Sequence, residues 1–135
     1  MTTVVDMPLQ NEPALTDKAI FQKKQETVSE KAYVDYCFWG GLVEHNFGTL
    51  EELDQCGVTA FKSFIGPVSD DYSSLSMGQA KQALEILRNF DARAGFHCED
   101  YSIIKWEEKR AAEEGRQGRR DFLDSRPVVA ELMAT

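Results

Sequence analysis

The sequence predicts an α/β fold built on a parallel sheet, read as one domain over residues 1–135. Three observations carry this. Short apolar runs alternate with polar stretches that have helical spacing. The runs recur about 25 to 35 residues apart, which leaves room for one crossover helix each. Each run is closed by Gly, Pro or a polar turn, so the chain must leave the sheet there. Alternation of this kind gives parallel strands joined by right-handed crossovers.

The elements follow in order. Thr2–Met7 is rich in Thr and Val and ends at Pro8, a first strand. After a loop over 9–13, the spacing of Ile20, Lys24 and Val28 predicts a helix from about Thr16 to Glu30. Ala32–Trp39 is the second run, closed by Gly40 and Gly41. Thr49-Leu50-Glu51-Glu52 has the capping-box pattern and opens a short helix that stops at Gly57. Val58–Ile65 is the third run, ended by Gly66 and Pro67, with a polar loop over 68–75. Ser76-Met77-Gly78-Gln79 is a second capping box, followed by Ala80, Ala83, Leu84 and Leu87 at helical spacing. Ala94–Cys98 is a short fourth run. Two further helices are expected, about Ser102 to Glu114 and from about Pro127 onward.

Four βα units fit either a small open sheet or half of a closed barrel. A closed eight-stranded barrel takes about 250 residues, more than this chain has. The sequence opens in a strand and closes within an amphipathic helix, 127–135, which predicts a fragment of something larger.

Composition excludes several classes. Of 135 residues 42% are apolar, enough for a core. Lys plus Arg is 15 against 23 for Asp plus Glu, a net charge of −8. Such a surface repels phosphate backbones, so neither nucleic acid nor an anionic membrane is the expected partner. The three cysteines, Cys37, Cys56 and Cys98, include no C-x-x-C pair. They predict free thiols in a reducing, cytoplasmic setting. No apolar run reaches a membrane span, and the start lacks the basic segment of a signal peptide.

Lys62 is the anomaly. Period-two alternation puts Val58, Ala60, Lys62 and Phe64 on one face of the third strand. A parallel sheet covered by helices buries both faces, and a bare ammonium there is costly. Two readings stand. The lysine head snorkels to water at the strand end. Or burial keeps the amine neutral, and it takes up CO2 to form a carbamate whose two oxygens bridge metals. His97, at the end of the fourth strand, offers a similar choice between a structural or exposed histidine and a ligand. Both residues lie at the carboxyl ends of adjacent strands, where parallel α/β proteins place their chemistry.

Thr2-Thr3-Val4-Val5-Asp6-Met7-Pro8-Leu9 resembles the second-strand segment of the allantoinase family's barrel, a family of cyclic-amide hydrolases in the amidohydrolase superfamily. Phe38-Trp39-Gly40-Gly41-Leu42-Val43 is similar to its third-strand motif. Gly57-Val58-Thr59-Ala60-Phe61-Lys62-Ser63-Phe64 resembles its carbamylated-lysine strand, the fourth. His97-Cys98-Glu99 resembles the fifth-strand metal histidine, and 122–127 with the following Val-Val-Ala-Glu-Leu the helix after it. The resemblance implies part of a (β/α)8 TIM-type barrel, about strands two to five.

The resemblance also implies a site with two divalent metals, zinc first and iron, cobalt or manganese as alternatives. Lys62, carbamylated by CO2, and His97 are the metal ligands of that site within this chain. The other ligands of the family pattern, an H-x-H pair, a second histidine and an aspartate that shuttles protons, fall outside these residues. No catalytic base is therefore assigned here. A small polar substrate contact follows the lysine in the family. Pro67 and Val68 depart from it, and a shift of one residue gives that role to Ser69. His45 reads as an ordinary surface residue, and Cys98 as packing that points away from His97.

The implied reaction is hydrolysis of a ring amide by metal-activated water, with allantoin as first substrate and a tetramer as the family's common assembly. Hydantoinase, dihydropyrimidinase and dihydroorotase are the substrate alternatives. A reading of another class is an inactive truncated product, at most an assembly module, with two open strand edges.

Overall fold

Strands β1 (Thr3–Asp6), β2 (Asp35–Gly41), β3 (Ala60–Ile65) and β4 (Ala94–Cys98) pair side by side in chain order, all parallel. Helices α1 (Lys18–Ser29), α2 (Leu50–Gln55) and α3 (Met77–Arg88) make the crossovers. A 3-10 turn over Glu44–Thr49 precedes α2. Three helices follow β4: α4 (Tyr101–Glu113), α5 (Arg119–Asp124) and α6 (Val128–Ala134). The computed structural model describes residues 2–7, 11–66, 68 and 72–135. The sheet curls into part of a TIM-type barrel rather than a small open sheet.

Strand register separates two faces. Trp39 pairs with Ala60, Gly41 with Lys62, Lys62 with Gly95, and Phe64 with His97. These residues therefore share the face turned away from the helices. Phe38 and Phe61 point the other way. They form the core with Phe21 of α1, Leu53 of α2, and Ala83 and Leu87 of α3. Each buried Phe or Leu among them contributes roughly 1.5–3 kcal/mol, which fixes the register that aims Lys62 inward.

The helix ends show local chemistry. Asp17 caps α1 by accepting from the Ile20 amide at 2.9 Å. Ser76 and Gln79 form the expected box at α3, with the Ser76 amide donating to Gln79 Oε1 at 2.8 Å. The box expected at Thr49 does not form. Thr49 Oγ1 donates instead to the carbonyls of Thr16 at 2.8 Å and Asn46 at 3.0 Å, and the preceding residues wind into the 3-10 turn. Gly57 ends α2 at φ +101°.

The second strand starts later than its apolar run, at Asp35, with Tyr33 fully exposed in the turn before it. Leu84, placed at core spacing, is an exposed residue of α3. The short helix α5 was not among the expected elements.

Candidate metal centre

The end of β2 and the middle of β3 are joined by a set of buried hydrogen bonds. The Leu42 amide donates to the Lys62 carbonyl at 2.8 Å. The Tyr72 hydroxyl donates to that same carbonyl and lies 3.3 Å from the Leu42 amide. Burial pushes the Tyr72 phenol up to about 12, against a weaker opposing effect of the Leu42 amide. Asn46, almost fully buried, donates through Nδ2 to the Gly41 carbonyl at 2.8 Å and the Thr16 carbonyl at 3.1 Å, and accepts from the Val43 amide at 3.0 Å. Neither Tyr72 nor Asn46 stands out in the sequence. Both bond to partners far along the chain, which no local pattern reveals.

Lys62 sits on this scaffold, facing inward, with 8% of its surface exposed. Its Nζ lies 4.6 Å from the centre of the Phe64 ring. Burial lowers the amine from its ordinary value, and the Cys98 thiol opposes this to a lesser degree. No carboxylate pairs with it among the described residues. Among the described residues the head therefore meets no counter-ion.

His97 is one strand over and on the same face. Its ring lies 5.6 Å from the Phe64 ring, so Phe64 touches both candidate ligands. Its Nε2 is 3.0 Å from Glu99 Oε2. The His97 side chain is 53% exposed and that of Glu99 23%. The sequence carries a signal for this contact, since His-x-Glu at strand spacing puts both side chains on one face. Asp100, the next carboxylate, is spent elsewhere. Its Oδ1 accepts from Ser102 Oγ at 2.5 Å and from the Ile103 amide at 3.0 Å, capping α4 and holding its carboxyl below the ordinary range.

The donor set fits a metal in kind. It offers a desolvated amine with no counter-ion among the described residues, and an imidazole on the same face of the adjacent strand. It is incomplete in number. Among the described residues no three His, Cys, Asp or Glu side chains cluster as a site. His45 is exposed in the 3-10 turn, outside the arrangement. Cys98 pairs in register with Ile65 and faces the helices, as alternation required. Ser69 lies outside the described residues.

A cavity of about 550 Å³ lies on the opposite, helix-covered side, between α3 and α6, with Ile65, Phe96 and Cys98 in its lining. It is separate from the Lys62 and His97 face. No described helix is long and apolar enough to cross a membrane.

Comparison with known proteins gives the context of this face. No family model matches the chain. The chain is 34% identical over 140 residues to an allantoinase of Solibacter usitatus, covering 98% of the chain and 29% of that protein. It is 32% identical over 139 residues to an allantoinase of Salmonella paratyphi B, covering 99% of the chain and 31% of that protein. The chain thus spans about three tenths of the length of the curated relatives it matches. In structure it is similar to the L-hydantoinase of Arthrobacter aurescens, with a TM-score of 0.93 at 24% identity over 99% of this chain and 30% of that one. A D-hydantoinase from a Thermus species gives a TM-score of 0.81 at 22% identity, over 98% of this chain and 29% of that one. These structural likenesses establish the barrel fold.

Proposed function

We propose that this chain is the lysine-bearing part of an allantoinase-type cyclic-amide hydrolase, and that Lys62 and His97 are its contribution to a metal centre. The observation that carries the reading is a buried amine, with no counter-ion among the described residues, and an imidazole on one face of adjacent strands. Likeness to allantoinases over 98% of the chain supports that chemical class. The substrate class is a small cyclic amide, with allantoin first, and zinc is the first choice of metal.

Each residue has a stated task. Lys62 Nζ, when neutral, attacks the carbon of CO2, forms an N–C bond and releases a proton. The resulting carbamate presents two anionic oxygens from the same buried position. His97 supplies a ring nitrogen one strand away. Phe64 packs under both and limits water at the face. Tyr72 and Asn46 hold the backbone ends of β2 and β3, so that Lys62 has a fixed origin. A divalent metal, when bound, supplies an activated water and polarises the amide carbonyl.

Zinc titration of the purified chain tests this, with Lys62→Met and His97→Ala beside it. The expected result is less than two zinc ions per chain, with affinity lowered by either substitution. Zinc binding indifferent to both would remove the basis of the reading. Substrate is decided by offering allantoin, hydantoin and dihydrouracil to the uninterrupted barrel that contains these residues. Ring opening of allantoin in preference to the other two is expected.

A further inference from the structure

We infer that Glu99 is the positioning residue for His97, whose ring it holds through Nε2. The consequence for a cation rests on the metal reading above, whereas the positioning of the ring stands on geometry alone.

Glu99 is anchored before its side chain acts. Its amide donates to the Ile65 carbonyl at 2.6 Å, which extends the β3–β4 pairing by one residue. Its carbonyl packs against Gly66. A Cβ on Gly66 would sit 2.6 Å from that oxygen, and Gly66 holds φ +150°. Only a residue without a side chain permits this approach. With its backbone fixed, the Glu99 carboxylate turns back to His97, and Oε2 stands 3.0 Å from Nε2. That carboxylate is more than three quarters buried, and His97 is its partner among the described residues.

A second contact comes from Phe64. Its ring centroid lies 5.6 Å from that of the imidazole at an interplanar angle of 46°. The His97 ring is thus held by two contacts on an otherwise exposed side chain. With a proton on Nε2 the ring donates to the carboxylate, and Nδ1 has no hydrogen-bond partner among the described residues. A carboxylate on the far nitrogen of a ligating histidine fixes tautomer and orientation, and its loss costs about 10- to 100-fold in metal affinity.

The experiment is nuclear magnetic resonance of the full chain with labelled histidine, first without metal and then with zinc. Without metal, the His97 ring protons carry the ring-current shift of Phe64. Glu99→Ala is expected to erase that shift and Glu99→Gln, which keeps an acceptor, to retain it. Gly66→Ala, which displaces the Glu99 backbone, is expected to erase it while leaving the glutamate in place. An unchanged His97 spectrum in Glu99→Ala overturns the positioning. On adding zinc, affinity is expected to be down tenfold or more in Glu99→Ala and largely recovered in Glu99→Gln. Equal loss in both variants overturns the inference in favour of Glu99 as a direct ligand. If zinc moves neither ring nitrogen of His97, the metal reading fails, and the metal-free spectra still decide the positioning.

Discussion

The Trp39 indole reaches across β3 and lies on the backbone of Gly95: a Cβ built on Gly95 would stand 2.7 Å from Trp39 Cζ3. The two residues are two strands apart, and Lys62 pairs in register with Gly95 between them. The indole therefore covers the inner face directly beside the candidate ligand. A methyl group at 95 has no room unless the indole moves. Gly95→Ala is expected to cost about 1–3 kcal/mol by overpacking, read as a lowered urea midpoint. The same substitution in a Trp39→Leu background is expected to cost much less. Equal costs in the two backgrounds would show that the pair does not interact.

The placement of Lys62 and His97 on one face was legible because strand alternation and parallel register are local rules. Alternation put Ala60, Lys62 and Phe64 together, and Phe64 pairs with His97 as that required. The boundaries were less legible where distant partners intervene. Thr49 has the sequence of a helix cap, yet its hydroxyl is taken by the Thr16 carbonyl 33 residues earlier. Asn46 reads as a loop residue and is a buried strut between Gly41 and Thr16. Glu99 has the spacing to face inward, but spacing alone does not say that its carboxylate folds onto His97.

Tyr72 gives a pH-dependent prediction. Its phenol is held at about 12 in the folded chain, against 10.0 for the unperturbed group. Between these values the folded chain binds more protons than the unfolded one. The contribution of Tyr72 is therefore complete below pH 10 and lost as pH rises toward 12. Denaturation midpoints of the native sequence are expected to fall steeply over that interval. Tyr72→Phe is expected to flatten the fall and to cost about 1 kcal/mol at neutral pH, since the Lys62 carbonyl keeps its bond from Leu42. Identical alkaline profiles for both proteins would refute the assignment.

Asp100 links the end of β4 to two helices. Its side chain caps α4, and its amide donates to the Ala130 carbonyl of α6 at 2.8 Å. Asp100→Ala is expected to cost about 1 kcal/mol through the lost cap, and Asp100→Asn considerably less. The Ser102 hydroxyl, then the Ile103 amide, hold its carboxyl below the ordinary value. The cap's contribution is thus present above the unfolded carboxyl pKa and lost as pH falls through the folded one. Acid titration of stability should be shallower in Asp100→Asn, as followed by circular dichroism.

Lys62→Met separates the structural from the chemical role of this position. Methionine keeps most of the stem that packs within β3 and removes the buried ammonium. That ammonium has Phe64 beneath it and no carboxylate beside it among the described residues, so its charge contributes little to the fold. Burying a charge without a counter-ion opposes folding, and removing the charge relieves that cost. The melting stability of Lys62→Met is expected to equal that of the native chain or exceed it by about 1 kcal/mol, while zinc affinity falls. A marked loss of stability would mean that the ammonium itself holds the strand, a role at odds with a free amine poised to take up CO2. Stability kept and zinc binding lost would mark a position that the fold tolerates and the chemistry requires.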